Sequence, residues 1–173
     1  MSDLTKLILD HVRDIPDYPQ PGVLFKDITP LLGTPEAFEP VVDALATMFP
    51  GIDKIVGIEA RGFILAAPAA YKAKAGFVPV RKKGKLPAET LGASYDLEYG
   101  SATIEVHRDA FAPGDRVLII DDVLATGGTA EAAVDLINRA GAEVAGVAVL
   151  MELAFLKGRE RLAGVDFRPL VIV

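Results

Sequence analysis

Apolar residues recur along this chain in two rhythms. Leu4, Leu7, Ile8 and Val12 keep the spacing of a helix face, and Pro16 closes that helix. Prolines at 16, 19, 21 and 30 make the segment 17–30 extended with turns. Thr34-Pro35-Glu36 opens a second helix with a hydroxyl at the cap, proline at the first position and an acid in the first turn; it runs to about Phe49, where Pro50-Gly51 ends it. Short apolar runs from Lys54 to Ile58, Phe77 to Val80, Val117 to Ile120, Glu143 to Met151 and Leu170 to Val173 read as strands. An Ala-rich helix reaching about Lys74 and a second over 129–140 lie between strands. Leu86 to Ala93 has no period and reads as a mobile loop, whereas Ser94 to Tyr99 and Ser101 to His107 alternate around Gly100 as a hairpin. Strands alternating with helices predict an α/β fold with a parallel sheet, one domain over 1–173, and sites at the carboxyl ends of the strands.

Three of those strand ends carry charge. Val117 to Ile120 is followed by Asp121 and Asp122, then by Ala125, Thr126, Gly127, Gly128 and Thr129, where the next helix begins. A helix N-terminus offers free N–H groups and the positive end of the macrodipole, which together favour a phosphate. Gly127 and Gly128 let the backbone approach the anion, and Thr126 and Thr129 add hydroxyl donors. Carboxylates beside a phosphate repel it, so they serve another group: acceptors for the vicinal hydroxyls of a sugar phosphate. A plain strand–turn–helix corner with solvated aspartates is the alternative. Neither the nucleoside-triphosphate loop Gly-x-x-x-x-Gly-Lys-Ser/Thr nor the dinucleotide fingerprint Gly-x-Gly-x-x-Gly occurs here. Glu59-Ala60-Arg61-Gly62 follows the 54–58 strand, and Arg81-Lys82-Lys83-Gly84-Lys85 follows the 77–80 strand. Arg61 is either an anion ligand or salt-bridged to Glu59, and the basic cluster is either a solvated surface or a counter-charge for pyrophosphate. All three turns follow strands and are expected to converge on one edge.

Composition narrows the partners. A net charge of −6 argues against nonspecific nucleic-acid binding, which needs a basic face. Half of the residues (51%) are hydrophobic, enough for a core in a chain of 173. Cysteine is absent, which removes disulfides, thiolate catalysis and cysteine-ligated metal. The polar start Met1-Ser2-Asp3-Leu4-Thr5-Lys6 lacks a signal-peptide core and no run has membrane-spanning length, so a cytoplasmic location without membrane contact is expected. His11 and His107 have no nucleophile beside them in the pattern and are read as structural.

Val117 to Thr129 resembles the phosphoribosyl-pyrophosphate (PRPP) motif of type I phosphoribosyltransferases, and the likeness extends over nearly the whole chain. The resemblance implies the fold of that family: a central, mostly parallel sheet flanked by helices, an N-terminal hood (1–33) and a flexible lid loop and hairpin (81–107). It implies that Asp121 and Asp122 hold the ribose and that 125–129 hold the 5-phosphate. Glu59, Ala60 and Arg61, through a cis peptide at Glu59-Ala60, would bind pyrophosphate together with Arg81, Lys82 and Lys85. Pro21-Gly22-Val23-Leu24-Phe25-Lys26-Asp27-Ile28 is similar to the hood of the adenine-specific members, in which the aromatic residue stacks on the base and main-chain groups read its edge. Leu24, Phe25 and Lys26 are then the adenine-binding residues; a surface connection anchored by Phe25 is the alternative. Leu24 and Lys26 differ from some members, which main-chain recognition tolerates.

The resemblance further implies transfer of the phosphoribosyl group of PRPP to N9 of adenine, giving AMP and pyrophosphate in purine salvage. Mg²⁺ would be held mainly by substrate oxygens and water rather than by several protein ligands. A homodimer is implied, with the Arg81/Lys82 region near the partner's site. Leu97-Glu98-Tyr99-Gly100 matches the lid stretch whose glutamate approaches N7 of the base, which makes Glu98 the candidate catalytic residue; by pattern alone it is a solvated hairpin residue. A transferase for another base would share Asp121-Asp122 but lack the hood. A PRPP-sensing regulator would need a DNA-binding appendage, and a PRPP synthetase-like subunit two repeated domains.

Overall fold

In the computed structural model, which describes residues 3–96 and 100–173, helix α1 (Asp3–Asp10) packs Ile8, Leu4 and Leu7 into the core. It ends sooner than the spacing of Val12 suggested. Arg13–Pro16 is strand β1, antiparallel to strand β2 (Leu24–Asp27) with Ile15 opposite Phe25. Proline disfavours the helical region for the residue before it, so Ile15 goes extended and the ladder takes over. A one-turn helix α2 (Thr29–Leu32) follows, with Pro30 in the first turn where its missing N–H costs nothing. Helix α3 (Pro35–Thr47) starts where the sequence places it, but the Thr34 hydroxyl bonds back to the Pro30 carbonyl at 2.9 Å instead of capping.

The rest of the chain alternates strand and helix: β3 (Lys54–Ile58), α4 (Arg61–Ala73), β4 (Gly76–Lys82), β5 (Thr90–Asp96), β6 (Ser101–His107), β7 (Arg116–Leu124), α5 (Gly128–Arg139), β8 (Glu143–Glu152) and β9 (Phe167–Ile172). These strands form one seven-stranded sheet in the order β5-β6-β4-β3-β7-β8-β9. Strands β4, β3, β7, β8 and β9 are mutually parallel, and the β5–β6 hairpin joins antiparallel through Arg81 opposite Glu105 and Lys82 opposite Ile104. The sheet is therefore mostly parallel, as expected, with antiparallel strands on one side.

Period-2 alternation divides the core into two layers. Val56, Val117 and Ile119 pack with the face that α5 covers, whereas Ile55, Leu118 and Ile120 pack with α1, α3 and α4. Val117 through Ile120 are at most 1% exposed. Side chains of that size contribute about 1.5–3 kcal/mol each on burial, so β7 is a fixed support for whatever its end carries.

Four strand boundaries differ from expectation. Residues 90–93 belong to β5, paired with 104–107, rather than to a loop. β4 extends through Arg81 and Lys82, and β7 runs through both aspartates to Leu124. Two 3₁₀ turns, Ala154–Leu156 and Gly158–Leu162, lie in a stretch without a period, and β9 begins before Leu170.

Candidate active site

The carboxyl end of β7 runs into the N-terminus of α5. Gly127 stands just before the helix in the left-handed region (φ 84°), and its carbonyl accepts the Glu131 N–H at 2.9 Å. Ala125, Thr126, Gly127, Gly128 and Thr129 line one cleft with Asp121, Val123, Ile58, Val147 and Val149. The predicted phosphate residues are thus brought together, with the helix N-terminus aimed at the cleft. The lid hairpin reaches the same place: a Cβ on Gly128 would lie 3.5 Å from Tyr95 and 3.6 Å from the Asp96 carbonyl.

The two aspartates are not equivalent. Asp122 is 5% exposed, and its Oδ2 lies 2.8 Å from Arg61 Nε, although no donor among the described residues is aligned on that oxygen for a hydrogen bond. Asp121 lines the same cleft as 125–129, and its Oδ1 accepts the Asp122 N–H at 2.9 Å. Burial first, then the charge of Asp122, pushes the Asp121 carboxyl well above the ordinary carboxylate range. The α4 N-terminus crosses directly over it: a Cβ on Gly62 would lie 2.8 Å from Asp121 Oδ1 and 3.0 Å from the Ile120 carbonyl, so only glycine fits there.

Arg61 joins this pair to the hood. Its guanidinium lies 4.7 Å from the centre of the Phe25 ring, and its Nη1 donates to the Lys26 carbonyl at 3.2 Å. Phe25 also meets Tyr18 edge-on at 5.2 Å. The ring assigned to stack on the base thus carries a cation on one face. Leu24 is exposed, and the Lys26 ammonium bonds Asp14 at 2.7 Å, leaving the main chain of Lys26 toward Arg61. Asp27 closes the turn: its Oδ1 accepts the Thr29 N–H and hydroxyl, which hold its carboxyl below the usual range.

The peptide between Glu59 and Ala60 is cis. Glu59 does not pair with Arg61, as one reading of the sequence had it. Its carboxylate accepts from Arg81 Nε at 3.2 Å and from the Lys82 N–H at 2.9 Å. Burial pushes the Glu59 carboxyl up, but those two donors together outweigh it and hold it below its ordinary value. Arg81 also donates to the Lys85 carbonyl at 3.1 Å, and Glu105 accepts the Gly84 N–H at 2.9 Å. Acids therefore fix Arg81 and the backbone of the basic turn, while Lys82, Lys83 and Lys85 are exposed. Glu98 lies outside the described residues. His11 Nδ1 is 2.8 Å from the Leu7 carbonyl, inside its own helical turn. His107 ends an antiparallel strand and so lies toward the opposite edge of the sheet.

Two features escape a reading of sequence alone. Gly158 presses its backbone onto the 125–127 turn, where a Cβ on either Gly127 or Gly158 would collide with main-chain atoms of the other segment. Glu152 is a buried charge, 4% exposed, at the end of an apolar strand, and Arg159 grips it with two nitrogens. An acid closing a buried strand was the visible signal; its partner seven residues on lies in a stretch without a period.

No group of three or more ligating side chains that would hold a metal ion occurs among the described residues, and no described helix is long and apolar enough to cross a membrane. Residues 43–167 match the phosphoribosyl transferase domain family. The chain is 65% identical over 174 residues to the adenine phosphoribosyltransferase of Thermobifida fusca, covering 99% of each, and 61% identical to that of Streptomyces coelicolor, covering 98% of this chain and 97% of the relative. The crystal structure of adenine phosphoribosyltransferase from Rhodothermus marinus superposes with a TM-score of 0.93 at 54% identity, over 98% of both chains. The enzyme from Saccharomyces cerevisiae, solved with an imino-altritol bisphosphate and adenine, gives 0.91 at 39% identity, over 96% of this chain and 98% of that one. With a phosphoribosyl transferase domain over 43–167 and relatives this similar along nearly the whole chain, the chain belongs to the adenine phosphoribosyltransferase family.

Proposed function

We propose that this chain joins N9 of adenine to C1 of PRPP, releasing pyrophosphate and forming AMP. The observation that carries this is the meeting, at one sheet edge, of the 125–129 cradle, the Asp121-Asp122 pair and the hood residues Phe25 and Lys26, with Arg61 touching both of the last two groups. The cradle would take the 5-phosphate and the aspartates the ribose hydroxyls. Arg61, with Glu59, Ala60, Arg81, Lys82 and Lys85, would take the pyrophosphate. As the C1–O bond breaks, the ribose ring gains positive charge; the Asp122 carboxylate would steady it, and the cations would hold the departing anion. Mg²⁺, when bound, offsets pyrophosphate charge. It would be carried mainly by substrate oxygens and water, which suits a hard ion that keeps its waters.

Leu24, Phe25 and Lys26 would set the base. A hood carbonyl and N–H matched to the N6 donor and N1 acceptor of adenine meet the wrong partners in hypoxanthine, at about 1–3 kcal/mol for each unpaired group. Glu98 would exchange a proton with N7, for which general acid–base help is typically worth about 10²–10⁴ in rate. A Glu98→Leu variant that turns over like wild type in a single-turnover measurement would remove that role. A homodimer and a cytoplasmic location belong to the same proposal. Ile64 and Tyr71 support the dimer: they stand seven residues apart on α4, 43% and 88% exposed, with Pro68 between them. Such a stripe suits a second copy, with the Arg81/Lys82 region near the partner's site.

The deciding experiment mixes the protein with PRPP, Mg²⁺ and a panel of bases and follows pyrophosphate release. Turnover with adenine and orders of magnitude less with guanine or hypoxanthine is expected. Comparable turnover of hypoxanthine would overturn the base assignment while leaving PRPP chemistry standing.

A further inference from the structure

The phosphate turn does not stand alone at the end of β7. Gly158, from the turn after β8, lies against it so closely that a Cβ on Gly127 would meet the Gly158 carbonyl, and one on Gly158 would meet the Ala125 carbonyl and, at 3.0 Å, the Gly127 nitrogen. Those are the atoms that fix the direction of the phosphate-binding amides. The chain on both sides of Gly158 is tied down. Leu153 N–H donates to the Leu124 carbonyl at 3.0 Å, and Leu162 is buried in the core that α5 covers. Between them Arg159 spans two supports: Nε and Nη2 both reach Glu152, and the guanidinium lies 4.9 Å from the centre of the Phe167 ring. Glu152 is buried on β8, the strand next to β7, so the clamp is anchored in the same sheet that carries the turn.

We infer that Gly158 and Arg159 are positioning residues for the 5-phosphate turn: Gly158 is the backstop that sets the path of 125–127, and Arg159, through Glu152 and Phe167, holds the backstop in place. Neither touches substrate. The inference rests on 125–129 being the 5-phosphate site. A turn built only from alanine, glycines and threonines has no side chain stiff enough to hold its own amides in register, and a second backbone pressed against it supplies what it lacks. Misplacement by about 1 Å at such a point can cost on the order of 10²-fold.

The test compares ligands that differ only in the phosphate. Dissociation constants for AMP and adenosine are measured by calorimetry on wild type, Gly158→Ala, Arg159→Met and Arg159→Lys. Arg168→Met is the control, since Arg168 also pairs with an acid (Asp166, 2.6 Å) and lies over a ring (Phe49, 4.2 Å) elsewhere. Gly158→Ala and Arg159→Met should raise the AMP constant at least ~10-fold while adenosine moves less than about twofold, with Arg159→Lys in between and the control at the wild-type ratio. Equal weakening of AMP and adenosine, or no change in either, overturns the inference. Should the first two variants fail to fold, Arg159→Lys, which keeps the charge, decides by the same ratio. A Thr126→Val, Thr129→Val double variant separates the two claims. If it leaves the AMP-to-adenosine ratio unchanged, the 5-phosphate assignment itself is wrong; if it shifts that ratio and the clamp variants do not, only the clamp fails.

Discussion

The two anion sites proposed above, one for the 5-phosphate and one for pyrophosphate, are built on opposite plans. At the phosphate end, residues 125–129 offer backbone N–H groups and hydroxyls, with no cation among them, and a second backbone segment at Gly158 limits their movement. At the pyrophosphate end both arginines are already engaged. Arg61 holds Asp122, the Lys26 carbonyl and the Phe25 ring, and Arg81 holds Glu59 and the Lys85 carbonyl. A group that stays on the product can be bound by fixed geometry. A group that must leave is better held by ion pairs that exchange, because the protein regains its own contacts as the anion departs. Complementarity at one end and competition at the other would suit phosphoribosyl transfer, in which the 5-phosphate stays on the product AMP while the pyrophosphate of PRPP departs.

The comparison breaks first at Gly127. Its φ of 84° strains any other residue, and a Cβ there runs into the carbonyl of Gly158, which is backbone and cannot rotate aside. Gly127→Ala is expected to lower kcat/KM for PRPP by about 100-fold or more, while the affinity for free pyrophosphate changes little. Steady-state kinetics with a pyrophosphate inhibition series checks both. A variant that loses pyrophosphate as much as AMP would mean that the two ends are one rigid unit.

The phosphate end was also the more legible of the two in sequence. A β-branched run, two acids and a small hydroxyl-bearing turn before a helical period are all local signals, and β3, β6 and the start of α3 fall where their patterns place them. What escaped is non-local. β1 forms only because Leu24–Asp27 pairs with it, and 90–93 are strand only because 104–107 lie alongside. Gly158 backs the turn from 31 positions beyond Gly127, which no spacing rule connects. The partners of Arg61 and Glu59 were equally hidden. A strand end delivers an arginine to an edge, but which acid it meets there depends on how neighbouring strands register, and Glu59 goes to Arg81 on β4 rather than to its neighbour two residues on.

A second test addresses the pyrophosphate end. Arg61→Ala removes one charge-assisted contact, typically worth about 1.5–3 kcal/mol, or roughly 10- to 150-fold in a binding constant. The inhibition constant of pyrophosphate should rise by that order and that of AMP by clearly less. Losing the cation over Phe25 and the bond to the Lys26 carbonyl frees the hood, so adenine binding should not weaken in step. Equal rises for pyrophosphate and AMP would make Arg61 a structural tie between hood and sheet, and the exchange picture would lose its principal residue.

The smallest expected effect sharpens the comparison at its midpoint, where Asp121 and Asp122 separate the two ends. Asp122 has Arg61 beside it, whereas the Asp121 carboxyl, buried next to that charge, is pushed well above its ordinary value. The sign of the consequence is set by proton binding. Asp121 in the unfolded chain ionises near the usual value of about 3.9. Between that pH and its higher folded value the native state binds more protons, so this group's contribution to stability falls as pH rises through the window. Asp121→Asn keeps the acceptor for the Asp122 N–H and removes the ionisation. Its melting temperature should match wild type near pH 4 and exceed it by about 2 °C or more at neutral pH, in unliganded protein. With PRPP bound the order should reverse, because ribose hydroxyls then give the carboxylate the donors it lacks. Thermal melts at both pH values, with and without PRPP, decide the matter. A variant less stable than wild type at neutral pH without ligand would mean that the charge on Asp121 is already compensated in the folded protein, and that the ribose site is preformed rather than completed by substrate.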